Sequence, residues 1–258
     1  MERARELIRP YLEMDGVIGI YVVGSATRPY RDELSDYDIE VIVEDEIYDR
    51  TPMDERQVFS FKEGEPKIVD YEFYLIPWSD FVKLTESALD LFHYPFQHAV
   101  ILHDPEERIE PIIRQLAELS EGVRIERMTV HFLDFLYRLG RARKTADRGE
   151  LPVNLALLRG DALSSLVKLI FLANGSWPST AHWSEQEFAE LGISDDLLTP
   201  VNTWLSEPST DNARAMVVAV RAFLDDAGET FHQDMDGIQQ WLFFTKEGKA
   251  AFERWGVR

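Results

Sequence analysis

Gly19-Ile20-Tyr21-Val22-Val23-Gly24-Ser25, followed ten residues later by Asp36-Tyr37-Asp38-Ile39, is the stretch on which the fold turns. The run Val17–Val23 is short, apolar and β-branched, and it stops at Gly24-Ser25, so it reads as a buried strand feeding a tight turn. Residues 26–35 are polar and carry Pro29, which marks a loop. Residues 36–43 alternate, and on a strand alternate side chains share a face, so Asp36 and Asp38 project together while Tyr37 and Ile39 pack behind them. Adjacent carboxylates repel each other, and a hard divalent cation such as Mg²⁺, which prefers carboxylate and phosphate oxygens, relieves the repulsion. Gly24 lets the backbone approach a phosphate closely, and its amide and that of Ser25 can donate to phosphate oxygens.

Outward from this stretch, residues 2–15 place Leu7, Ile8, Tyr11 and Leu12 at helical spacing. A third strand is expected over 68–76, closed by Pro77, then a helix from Ser79 and a fourth apolar run at 99–102. The third strand carries Asp70 and Glu72 among apolar and aromatic neighbours, where an unpaired acid is costly, so either can supply a third metal-binding carboxylate. Glu40 continues the Asp36/Asp38 face further down its strand; an acid there reads as a solvated or ion-paired group and is left out of the site. Beyond residue 105 the period changes. Residues 106–119, 123–146, 153–173, 212–231 and 238–254 carry apolar residues at i, i+3, i+4 spacing, punctuated by Gly140, Gly175 and Pro178. Strands first and helices afterwards predict an α+β chain: a mixed β-sheet flanked by helices over 1–107, then an α-helical bundle over 108–258.

The chain has 258 residues, 45% of them apolar, no cysteine and a formal charge of −20. No apolar run is long enough to span a bilayer and no signal-peptide apolar region opens the chain, so the expectation is a soluble, cytoplasmic protein. Without cysteine there is no disulfide framework and no thiolate metal site. The charge is uneven: residues 1–107 hold 25 Asp+Glu against 10 Lys+Arg, and residues 108–258 hold 22 against 17. An acidic first half disfavours nucleic acid as a partner and suits a cationic small molecule. The chain is compatible with a homodimer, which its sequence does not specify.

Gly24-Ser25-x10-Asp36-Tyr37-Asp38 resembles the signature of the polymerase-β-like nucleotidyltransferase superfamily. Arg28 matches a basic position of that turn and Ser35 the serine that precedes the first Asp, and the layout is similar to two-domain antibiotic (kanamycin-type) nucleotidyltransferases. The resemblance implies in-line attack of an acceptor hydroxyl on the α-phosphate of ATP or another nucleoside triphosphate, with two Mg²⁺ ions and release of pyrophosphate. It implies Asp36, Asp38 and one of Asp70 and Glu72 as metal ligands, with Gly24, Ser25, Arg28 and Ser35 at the nucleotide. It also implies a carboxylate base on the first long helix of the second domain. The position falls at Tyr137, so Asp134, one turn earlier on the same face, is the available acid, although it lies four residues before Arg138 and could pair with it. The alternative is a non-catalytic nucleotide-binding or antitoxin-type module that keeps the fold. Arg124 and His131 match the Arg-x6-His spacing of helical ribonucleases encoded beside minimal nucleotidyltransferases, a spacing common on helices.

Overall fold

The computed structural model describes residues 1–64, 66–149 and 152–256. The chain is α+β, as its periodicities predict: a five-stranded mixed sheet with its helices, then a helical region. The elements run α1 (Glu2–Leu7), α2 (Arg9–Leu12), β1 (Val17–Val23), β2 (Tyr37–Val43), α3 (Asp45–Arg50), β3 (Gln57–Phe61), β4 (Val69–Pro77), α4 (Trp78–Lys83), β5 (Val100–His103) and α5 (Ile109–Ala117). There follow α6 (Glu121–Asp147), α7 (Pro152–Ala173), α8 (Ser184–Glu190), α9 (Asp195–Ser206), α10 (Thr210–Asp226), α11 (Met235–Phe244) and α12 (Lys246–Trp255). Among the described residues no helix is long and apolar enough to cross a membrane.

The strand order is β3-β4-β2-β1-β5, with β2 and β4 parallel and the other neighbours antiparallel. One face carries Ile20, Val22, Tyr37, Ile39, Val41 and Phe73 against Ala4 and Ile8 of the N-terminal helices. Those two helices replace the single one expected over 2–15, because Pro10 has no N–H to continue the ladder. On the opposite face Tyr21, Val23 and Ile42 pack against Phe81 of α4 and Ile109, Ile113 and Leu116 of α5.

That last contact moves the division of the chain. The compact units are Met1–Glu118 and Leu119–Arg258, so the boundary falls one helix later than the 107/108 expected from sequence. Helix α5 belongs to the sheet because its apolar stripe fits over Gly19: a Cβ on that residue would lie 2.6 Å from Ile109 Cδ1. His93 reinforces the junction, its Nδ1 and Nε2 lying 2.9 and 2.8 Å from the carbonyls of Leu116 and Ser87.

In the second unit, α6 is buried along two sides. Met128, Phe132, Phe135 and Leu139 join a core with α7, α9 and α10, while Val130 and Leu133 meet Leu242, Ala251 and Trp255. Helices α8 and α9 lie between the helical periods read at 153–173 and 212–231. The single helix expected over 238–254 is two, broken at Thr245, whose side chain caps α12 by accepting from Gly248 N at 3.0 Å.

Overfilling the α5 contact should be costly. We expect Gly19→Val to destabilise the protein by about 1–3 kcal/mol through overpacking against Ile109. Chemical denaturation of the two proteins measures this.

Candidate active site

β1 delivers the chain to Gly24, whose φ of 73° and ψ of −159° lie in a region essentially closed to residues with a side chain. The turn continues as a 3-10 segment, Ser25–Thr27, with Thr27 Oγ1 donating to the Gly24 carbonyl at 2.9 Å. The register pairs Val23 with Asp38, so Gly24 comes to rest over the Asp38 side chain. A Cβ at Gly24 would lie 2.0 Å from Asp38 Oδ2. The turn and the carboxylate therefore touch, and only glycine permits it.

The register then carries the face across the sheet. Asp38 pairs with Glu72, and Glu72 pairs with Phe59 on the edge strand; one step along, Tyr21, Glu40, Tyr74 and Gln57 form a second row. Tyr21 Oη donates to Glu40 and Tyr74 Oη donates to Glu72. Burial first, then the negative charges of Asp36, Glu72 and Glu40, pushes the Asp38 carboxyl up to about 7. Burial pushes Glu40 up to about 6 against the opposing effect of the Tyr21 hydrogen bond. Tyr74 rises to about 12, through burial first and then its bond to Glu72. The corner is thus a half-buried group of oxygen acids with more negative charge than its own donors relieve, a donor set that suits a hard divalent cation. Among the described residues, however, no three acidic or imidazole side chains already converge as a metal cage.

The other candidates are placed as follows. Ser25 is buried at the turn. Of the two acids on β4, Glu72 lies beside Asp38, while Asp70 is drawn to Arg3, with 3.5 Å between Nη2 and Oδ2. The pairing slips between Ser60 and Phe61, which leaves Asp70 unmatched between Tyr71 and Val69 and breaks the alternation that would have put it with Glu72. Arg28 is 6% exposed, donates to the Tyr94 carbonyl at 3.2 Å and stacks on that ring at 4.3 Å. Its visible task is to hold the turn. Ser35 is buried and donates from Oγ to Asp32 Oδ1 at 3.0 Å, a bond that lowers the Asp32 carboxyl; Lys62 donates to the Ser35 carbonyl at 3.1 Å. These contacts set the loop that presents Asp36.

Asp134 lies at the contact between α6 and α7. It is 2% exposed; Oδ1 accepts from Arg138 Nε at 2.8 Å and Oδ2 from Ser165 Oγ at 2.9 Å, and Arg138 also bonds Asp161. One oxygen is bonded along α6 and the other across to α7, so both already accept hydrogen bonds. Arg124 and His131 do not form a working pair either. Arg124 is held by Glu121 and Glu229 at 2.7 and 2.5 Å, and His131 is fully buried, with burial and then Arg127 and Lys168 lowering its pKa well below the usual value.

Tyr21, Tyr74 and Glu40 are members of the site that sequence reasoning passed over. Their period-2 placement relative to Asp38 and Glu72 was the available signal.

No protein-family model matches the chain, and no curated protein does. Among solved structures, 12 chains match. One is the crystal structure of a nucleotidyltransferase-like protein from Exiguobacterium sibiricum 255-15, 18% identical over 87% of this chain and 74% of that one, with a TM-score of 0.46. A likeness at that level carries no functional weight, and what the site can do is read from its own side chains.

Two outcomes follow from the geometry. Gly24→Ala should destabilise the protein by about 1–3 kcal/mol, because the new methyl meets both a forbidden φ and the Asp38 carboxylate; thermal or urea unfolding reads it. The second concerns pH. Folding raises Asp38 and Glu40 above their ordinary 3.8 and 4.5, so it favours their protonated forms. That contribution is complete below pH 4 and is lost as pH rises through 6 to 7. In chelator-treated protein, stability should fall more steeply between pH 5 and 8 in wild type than in Asp38→Asn, as measured by Tm at each pH.

Proposed function

We propose that the protein is a Mg-dependent nucleotidyltransferase that moves a nucleoside monophosphate, AMP from ATP, to a hydroxyl of a small cationic acceptor such as an aminoglycoside. The observation that carries this reading is the contact between Gly24 and Asp38, a tight glycine turn set against a carboxylate whose neighbours are also acids. Asp36, Asp38 and Glu72 would hold two magnesium ions, which when bound supply Lewis-acid stabilisation of the phosphate charge. Gly24 and Ser25 offer backbone N–H groups to the β- and γ-phosphate oxygens. Asp38 gives up the proton that its surroundings make it retain, so cation binding is favoured as pH rises. The acceptor hydroxyl loses its proton to solvent as its oxygen bonds to the α-phosphorus, the bond to the bridging oxygen breaks and pyrophosphate leaves. The acidic first half favours a cationic acceptor. Asp134 is not given a part in the chemistry.

A second reading, a non-catalytic nucleotide-binding or antitoxin-type module, is favoured by one observation: no three acids are already gathered as a metal cage among the described residues. Incubation with ATP, Mg²⁺ and an acceptor panel separates the two readings. Under the enzymatic one, pyrophosphate is released and Asp38→Asn lowers the rate by at least about 100-fold. If wild type and Asp38→Asn are equally silent while both bind ATP, the catalytic reading falls and the binding module stands.

A further inference from the structure

The edge strand β3 brings two exposed aromatic rings to the acid corner. Its sequence, Gln57-Val58-Phe59-Ser60-Phe61, holds no charged residue, although charge is the usual means of blunting an edge. Phe59 lies opposite Glu72, and directly opposite residues share a face, so its ring stands on the side of Asp38 and Glu72. It meets the Tyr74 ring edge-on with centroids 6.3 Å apart, and Tyr74 in turn bonds Glu72. The irregularity beyond Ser60 places its extra residue in β4, so Phe61 follows Phe59 on the same face. The two rings are 46% and 53% exposed. We propose that Phe59 and Phe61 are the platform on which the acceptor binds, and that the acceptor is a cationic amine borne on a ring.

This inference rests on the nucleotidyltransferase reading, which supplies the direction of approach. Across the sheet the order is Gly24 at the end of β1, Asp38 on β2, Glu72 on β4 and Phe59 on β3. With the departing pyrophosphate held at Gly24, in-line displacement requires the attacking hydroxyl on the far side of the α-phosphorus. On this sheet the far side is that of β4 and β3. Neighbouring strands are about 4.8 Å apart, which puts Phe59 about 10 Å from Asp38, so a ring can rest on Phe59 while its hydroxyl reaches the acids.

The chemistry of the occupant follows from the neighbours. An aromatic face gains by covering apolar ring surface, and it attracts a cation. Glu72 and Glu40 lie in the adjoining rows, each relieved by one tyrosine hydroxyl. Lys62, next along the chain from Phe61, donates to the carbonyls of Glu33 and Ser35 at 2.6 and 3.1 Å. A neutral occupant would leave the acids uncompensated, and an anionic one arriving without a metal would be repelled. A ring that carries an amine suits both the aromatic faces and the carboxylates.

The test begins with thioflavin T, a flat ring cation that brightens when a surface holds it rigid, in the absence of nucleotide. It should bind the full chain saturably, and added salt should weaken it. Phe59→Thr keeps a strand-forming residue at an exposed position and should weaken binding roughly 3- to 10-fold. Combined with Phe61→Thr it should weaken binding further. With ATP, Mg²⁺ and the best acceptor of the panel, the double variant should raise the KM of the acceptor by at least about 10-fold and leave that of ATP unchanged. If the wild type releases pyrophosphate while the double variant leaves the acceptor KM unchanged, or raises that of ATP instead, the platform is overturned and the transferase reading stands. A wild type silent on every acceptor brings down the transferase reading and the acceptor role with it. Thioflavin T binding that does not saturate, or that the double variant leaves unaltered, overturns the platform whatever the turnover.

Discussion

The contact between the Gly24 backbone and the Asp38 carboxylate is the constraint from which the rest of the sheet unit follows. It exists because β1 and β2 pair Val23 with Asp38, which brings the turn after β1 directly over the acid. A slip of one residue in that register would send Asp36, Asp38 and Glu40 to the face that packs on Ala4 and Ile8, where three carboxylates could not be accommodated. The apolar alternation of Tyr37, Ile39 and Val41 therefore fixes the position of the acids as firmly as the acids themselves could.

The same face shows how a sheet carries several acids at close quarters. Glu40 and Glu72 each receive a tyrosine hydroxyl, and Asp70 lies against Arg3. Asp38 has the Gly24 backbone on one side and acids on the others, and it answers by holding its proton to about 7. Neutralisation by a proton and neutralisation by a cation are alternative solutions to one electrostatic problem. A site built this way is a reservoir of cation affinity that the protonated state masks.

The strand, turn and paired acids were legible in the sequence because each rests on local rules: a β-branched run, a glycine at its end and a period of two. What was missed depends on partners distant in the chain. Asp70 and Glu72 look equivalent by alternation, and only the irregular pairing of β3 with β4 separates them. Strand β3 itself, with Val58, Phe59 and Phe61 exposed on the sheet edge, has too weak a pattern to be read alone. Arg28 resembles a loop cation until Tyr94, 66 residues away, supplies a ring and a carbonyl to hold it. The domain boundary was placed at the change of period, yet α5, though helical, has its stripe cut to fit the sheet.

Helix α7 makes the strongest case that burial alone does not define a site. Ser165 and Ser164 are consecutive, so they point about 100° apart around the helix. Ser165 is wholly buried and donates to Asp134, completing a network in which Arg138 joins Asp134 and Asp161; its polar atoms are satisfied, and removing one partner would strand a buried charge. Ser164 instead lines a cleft that α7 shares with α8 and α9.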